Sequence, residues 1–219
     1  MTKPCKQGVV LLHGFGSIPG TMWPLAWTLR QAGYSTLTPF YPSWRMPLSQ
    51  IVNRLKRQVA AFATNHEDGL HFVGHSMGGL VIRALLHKER PANLGKVVML
   101  GTPNAGSEIA DYLALRRWTG LILGEARPTL ITRRDAELVG QLGKVDYPVG
   151  IIAGNRAIIE GPFASLLPTP NDGKVSVAAT HMHGEADHII MPVTHSLLPS
   201  HGGVRRQTLH FIENGRFAQ

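Results

Sequence analysis

The chain has 219 residues, 43% of them hydrophobic and 16% charged, which fits one folded domain with a sizeable core and excludes a disordered acidic or basic tail. Its formal charge is +8 at pH 7, yet the cations are scattered in pairs (Arg116-Arg117, Arg133-Arg134, Arg205-Arg206) without zinc-ligand spacing or a basic-region helix, so no nucleic-acid partner is expected. Cys5 is the only cysteine, which excludes an intramolecular disulfide framework. The start of the chain is polar, and its first apolar run is too short for an export signal or a membrane span. A cytoplasmic location without stable membrane insertion is the expectation.

Val9-Val10-Leu11-Leu12 is a continuous apolar run ending at His13-Gly14, the pattern of a strand buried on both faces. Residues 25–31 read as a helix stopped by Gly33, and 35–38 as a strand stopped by Pro39. Residues 48–64 form the clearest amphipathic helix. Ile51, Val52, Leu55, Val59 and Phe62 recur at helical spacing, and Arg54, Lys56 and Arg57 fall elsewhere. A strand over 70–73, a helix over 77–88 with Pro91 beyond it, and a strand over 96–100 closed by Gly101-Thr102-Pro103 follow. Further strands are expected over 149–153 and in the apolar run 189–193.

Strands alternating with helices predict an α/β fold, a mostly parallel sheet with helices on both faces, in a single domain over 1–219. Residues 104–145 break the rhythm and look helical around 110–117 and 135–142. They read as a helical insertion above the carboxyl edge of the sheet, where α/β ligand sites form, or as a longer crossover.

Gly74-His75-Ser76-Met77-Gly78 matches G-x-S-x-G between an expected strand and an expected helix. On that sharp turn Ser76 projects its hydroxyl, Gly74 and Gly78 remove side chains that would collide, and the helix N-terminus presents backbone N–H groups. The His13-Gly14-Phe15-Gly16 loop is the other source of N–H donors. An oxyanion hole is therefore assigned to the backbone of Phe15 and Met77, with Gly14 giving the loop its freedom and His13 reading as a structural histidine.

A serine nucleophile needs a base, and the base needs an orienting acid, here in the order Ser, acid, His. His195, after the last apolar run, is the leading base, with His201 and His188 as rivals. Asp172, in the turn Asn171-Asp172-Gly173, is the leading acid, ahead of Asp187 and Glu160. His181, His183, Glu185, Asp187 and His188 have metal-ligand chemistry, but no distal ligand set matches them, and a solvated loop is the expectation. The glycines between Gly14 and Gly20 make neither a P-loop nor a dinucleotide fingerprint.

These pieces, in this order, resemble the α/β-hydrolase superfamily, and most closely its small bacterial serine esterases and lipases. The resemblance rests on Leu11-Leu12-His13-Gly14-Phe15-Gly16, Gly74-His75-Ser76-Met77-Gly78-Gly79, Gly101-Thr102-Pro103-Asn104-Ala105-Gly106-Ser107 and Asn171-Asp172-Gly173-Lys174-Val175-Ser176-Val177. It implies Ser76 as nucleophile, Asp172 as acid and His195 as base, acting on a small-molecule acyl ester or thioester without a cofactor. It also implies an apolar cover over the acyl pocket, from Tyr112, Leu113, Leu115, Trp118, Leu121, Ile122 and Leu123. No acidic residue directly follows His195, so the calcium of larger relatives is not carried over. A thioesterase or acyltransferase using the same residues, and a non-catalytic binding module on the same fold, are the alternatives.

Overall fold

The computed structural model describes residues 7–115, 123–157 and 167–219. Cys5, the Arg116-Arg117 pair, the expected cover residues Trp118, Leu121 and Ile122, and the acid candidate Glu160 lie outside them. The strands are β1 (Gln7–Leu12), β2 (Ser35–Leu37), β3 (Gly69–His75), β4 (Leu94–Leu100), β5 (Val149–Gly154) and β6 (Asp187–Met191). They form one sheet in the order β2-β1-β3-β4-β5-β6, and every neighbouring pair is parallel. The order switches direction between β1 and β3, where the carboxyl edge of such a sheet leaves a crevice.

The helices are α1 (Trp23–Gln31), α2 (Leu48–Ala63), α3 (Met77–Lys88), α4 (Glu108–Ala114), α5 (Arg127–Leu130), α6 (Ala136–Leu142), α7 (Val177–Thr180) and α8 (Gly202–Asn214). Two apolar layers sandwich the sheet. Val10, Leu12, Phe72, Val97, Met99 and Ile151 join the cluster containing the apolar faces of α2 and α3. Their chain neighbours Val9, Leu11, Val73, Val98, Leu100 and Ile152 join α1 and α8 on the other side. Side chains alternate across a strand, so covering both faces requires unbroken apolar runs, and such runs are what the sequence shows.

The insertion after β4 carries α4, α5 and α6. Ser107 and Asp135 cap two of them, accepting from the Ala110 and Leu138 N–H groups. β1 starts two residues before Val9 and β3 ends two residues after residue 73, and β4 and β6 also depart from the sequence reading. β4 starts at Leu94, two residues before Lys96, with a register shift opposite Leu70 and Phe72. β6 occupies Asp187–Met191 rather than 189–193, with Asp187 opposite Gly150 and His188 opposite Ile151. It lies at the sheet edge and is only half-buried, so polar residues fit it, and Pro192 beyond its end has no N–H to extend the ladder.

Candidate active site

β3 passes into α3 through Ser76, the one non-glycine residue with positive φ (54°) among the described residues. Such a conformation costs about 1–3 kcal/mol and needs surroundings that impose it. The Ser76 N–H donates to the Leu100 carbonyl of β4 at 2.8 Å, and the Gly79 N–H donates to the Ser76 carbonyl at 3.0 Å. A Cβ on Gly74 would lie 2.5 Å from the Gly79 nitrogen, and one on Gly78 would run into the Leu12 carbonyl oxygen. These glycines let α3 start against the backbone of β1 and β3.

Among the described residues, the N–H groups of Met77 and Phe15, at and near this turn, have no hydrogen-bond partner. Met77 opens α3, so its N–H has no intrahelical acceptor. The Gly14 carbonyl accepts from His13 Nδ1 at 3.0 Å, from the Ser17 N–H at 3.3 Å and from the Ser43 hydroxyl at 3.3 Å. In a trans peptide the C=O and N–H point opposite ways, so anchoring that carbonyl turns the Phe15 N–H in the other direction. The next N–H, of Gly16, is taken by Ser43 Oγ at 2.9 Å. His13 itself is buried, stacks on Tyr41 with ring centroids 4.2 Å apart, and receives the Tyr41 hydroxyl on its carbonyl. Burial lowers its pKa, so it stays neutral.

Asp172 and His195 meet across the loops that follow β5 and β6. Asp172 Oδ2 accepts from His195 Nδ1 at 2.7 Å, and the two residues are 2% and 5% exposed. Asp172 Oδ1 accepts the N–H groups of Lys174 at 3.0 Å and Val175 at 2.8 Å, and the His195 N–H donates to the Asp172 carbonyl at 3.0 Å. With Nδ1 donating, Nε2 of the neutral ring is an acceptor. Gly101 (φ 55°) makes room for the pair, since a Cβ there would lie 3.1 Å from Asp172 Oδ2 and 3.2 Å from His195 Nδ1.

Besides Ser43 on the Gly14 loop, two contributors were not legible in the sequence. His75 is buried beside Ser76 and donates from Nε2 to the His195 carbonyl at 3.0 Å. Burial, and next the proximity of His195, hold its pKa well below the usual imidazole range, so it serves as a neutral donor. The x of G-x-S-x-G signals nothing of a contact 120 residues away. Arg134, in sequence only one half of a cation pair, donates to the Asn104, Pro103 and Thr129 carbonyls at 2.6, 2.8 and 3.1 Å. It staples the loop leaving β4, and burial pushes its guanidinium down to about 10.

Ser76, His75 and His195 line one cleft of about 580 Å³ with Gly14 and Phe15. Its apolar wall comes from the insertion: Ile109, Ala110 and Leu113 on α4, then Leu123 and Leu130. Of the expected cover, Leu113 and Leu123 reach this wall, whereas Leu115 is exposed. Lys174 is the one Lys or Arg among the described lining residues.

The other candidates sit elsewhere. Asp187 starts β6 at the opposite end of the sheet, accepting from the His188 N–H at 2.8 Å and the Phe217 N–H at 2.7 Å. His188 Nε2 pairs with the Thr180 hydroxyl at 2.9 Å, and its ring stacks on His181, which meets Glu185 at 2.7 Å. His201 is exposed at the start of α8. Among the described residues, no three His, Cys, Asp or Glu side chains gather as a metal site.

The mature form of Bacillus licheniformis lipase BlEst2 matches with a TM-score of 0.77 at 20% identity, over 97% of this chain and 93% of that one. Its propeptide form matches at 0.80 with 18% identity, over 99% of this chain, which spans 51% of that longer one. Phospholipase PlaB from Legionella pneumophila, in complex with thio-NAD, matches at 0.64 with 17% identity, over 80% of this chain and 44% of that one. Likeness at these identities is likeness of fold. No curated protein matches in sequence. The model of the alpha/beta hydrolase family matches residues 9–214, from β1 to the last residue of α8, and the chain belongs to that family.

Proposed function

We propose that this chain hydrolyses carboxylic esters through an acyl-enzyme on Ser76. The observation that carries the reading is the buried 2.7 Å hydrogen bond from His195 Nδ1 to Asp172, with His195 and the strained Ser76 lining one cleft. Ser76 Oγ attacks the acyl carbon while its proton passes to His195 Nε2. The imidazolium then gives that proton to the leaving alcohol oxygen as the C–O bond breaks. Water repeats the sequence in reverse: it loses a proton to His195, attacks the acyl carbon, and Ser76 leaves reprotonated. Asp172 holds the ring in the tautomer with Nε2 free and stabilises its cation. The N–H groups of Phe15 and Met77 receive the oxyanion, each worth about 3 kcal/mol of barrier.

Apolar walls from α4 and α5 suit an acyl chain. Lys174 at the same cleft, in a chain of charge +8, favours a second reading: transfer or hydrolysis of an acyl group carried as a thioester on an anionic leaving group. Fluorophosphonate labelling with mass-spectrometric mapping tests the nucleophile. An adduct on Ser76, slowed at least a hundredfold in His195→Ala, is expected, and labelling of a different serine in folded protein overturns the assignment. Comparing kcat/KM for an oxygen ester and a thioester of equal acyl length separates the two readings.

A further inference from the structure

Charge is distributed very unevenly along the chain. Residues 1–66 contain seven Lys and Arg and no Asp or Glu, and residues 188–212 are a second acid-free stretch that includes Arg205 and Arg206. The loops leaving the carboxyl ends of β1, β2 and β6, on the edge where Ser76 lies, fall within these stretches and so carry no Asp or Glu, with Arg45 as their one Lys or Arg.

The same edge carries uncovered apolar bulk. Ile18, Trp23 and Leu197 are 58%, 61% and 52% exposed, and Trp27, one turn along α1, is 58% exposed. Trp23, Trp27 and Arg30 follow one another at i, i+4 and i+7, so they share a face of α1 distinct from the buried Leu25, Ala26 and Leu29. Leu198 belongs to the core cluster that holds Met22 and Leu25, and Arg205 donates to Thr28 Oγ1 at 2.9 Å, which sets the turn bearing Leu197 and helix α8 beside α1. Ser17, Thr21 and Ser196, immediate or near chain neighbours of these side chains, line the cleft itself. The apolar residues therefore form part of its rim.

We propose that this rim is a docking surface for an anionic phospholipid membrane, gripped peripherally by Trp23 and Trp27 with Ile18 and Leu197, so that the cleft opens toward the lipid. Indole rings favour the headgroup level of a bilayer, where one side is apolar and the other wet. Arg30 on the same face adds attraction to anionic headgroups, and no carboxylate in the first 66 residues opposes it. A second copy of the chain fits the same face poorly, since it would bring +8 against +8. This inference concerns binding and does not depend on the hydrolytic reading.

The test is cosedimentation of the full chain with phosphatidylglycerol vesicles and, separately, phosphatidylcholine vesicles, with tryptophan emission recorded. Partition onto phosphatidylglycerol with a blue shift is expected, about tenfold weaker on phosphatidylcholine and weaker again in high salt. Trp23→Ala/Trp27→Ala should lower that partition about tenfold and Arg30→Glu about fivefold, with thermal melting unchanged. Arg30→Glu decides alone if the double variant melts early, because Arg30 is fully on the surface side of α1 and unchanged binding then overturns the proposal. Failure of the native chain to bind phosphatidylglycerol at low salt, or equal binding by a well-folded double variant, also overturns it. So does a native dimer by sedimentation that ignores vesicles and becomes monomeric in the double variant, which assigns the face to a second copy.

Discussion

Asp172→Asn isolates what the buried carboxylate does. In the native loop Oδ1 accepts two N–H groups, from Lys174 at 3.0 Å and Val175 at 2.8 Å, while Oδ2 accepts His195 Nδ1 at 2.7 Å. An asparagine amide has one accepting end and one donating end. Putting its oxygen toward the two backbone donors keeps two hydrogen bonds, whereas the flipped amide keeps one and sets its NH₂ against both donors. At about 1 kcal/mol per bond, plus the cost of opposed donors, the first orientation wins. The amide NH₂ then faces His195 Nδ1, which must become the acceptor and leave its proton on Nε2. That tautomer cannot take the Ser76 proton. The kcat for p-nitrophenyl butyrate should fall about 10⁴-fold, or about 5 kcal/mol of barrier, with KM nearly unchanged. Stability should fall by only about 1–3 kcal/mol, because the loop keeps its backbone bonds but loses their charge assistance. Steady-state hydrolysis, the rate of fluorophosphonate labelling and a thermal melt on one sample check all three. Asp187→Asn is the control: its partners are the His188 and Phe217 N–H groups, so it should cost stability and spare kcat. The reasoning is refuted if folded Asp172→Asn keeps activity within tenfold of native, or if folded Asp187→Asn loses it.

His75→Phe removes the donor to the His195 carbonyl while keeping a ring, and should lower kcat about tenfold at steady KM. His75→Gln, with an N–H at similar reach, should lose less, and equal kcat for both variants would deny His75 a positioning role. Acid should unfold the protein early. Burial, and next the Lys96 charge, bring the pKa of His71 down to about 4, and its Nδ1 already accepts the Lys96 N–H at 3.0 Å. The unfolded chain binds this proton near 6.5 and the folded chain resists it until about 4, so stability is full above 6.5 and falls as pH drops through that interval. His71 alone should cost about 2 kcal/mol at pH 5, with His13 and His75 shifted in the same sense. Urea midpoints that agree at pH 7 and pH 5 would remove this account.

The core strands were legible because a sheet covered on both faces demands apolar runs, and β1, β4 and β5 supply unbroken ones while β3 is broken only at His71. β6 was legible only in part, since an edge strand tolerates Asp187 and His188 and its polar start reads as loop. Ser76 was conspicuous because its turn excludes side chains at Gly74 and Gly78, so that steric requirement is written in the local sequence. Asp172 stood out through Asn171-Asp172-Gly173, where the Gly173 N–H does return to Asn171 Oδ1 at 3.0 Å. Illegible were the contacts that tertiary folding alone creates: His75 under His195, Arg134 on the Pro103 and Asn104 carbonyls, and Ser43 on the Gly14 loop. None has a periodicity or spacing, because each joins residues that no local pattern relates.

The groups assigned to the proposed chemistry are held by bonds to the surrounding backbone and side chains: Ser76 by Leu100, His195 by Asp172 and His75, and the Phe15 peptide through the Gly14 carbonyl. Such donors need little reorganisation when charge develops, so the proposed chemistry belongs to the sheet edge. The apolar wall comes from the side chains of α4, α5 and the residues around them, which make none of these bonds, and substrate choice should therefore be separable from chemistry. Leu113→Trp puts this to the test by enlarging a side chain on the wall without approaching Ser76's bonds. Each acyl methylene it displaces is worth about 0.8 kcal/mol, so losing two lowers kcat/KM about tenfold. Octanoyl esters should lose at least that much while acetyl esters keep their native kcat/KM. An equal loss for both acyl lengths would place Leu113 in support of the chemistry itself and refute the division.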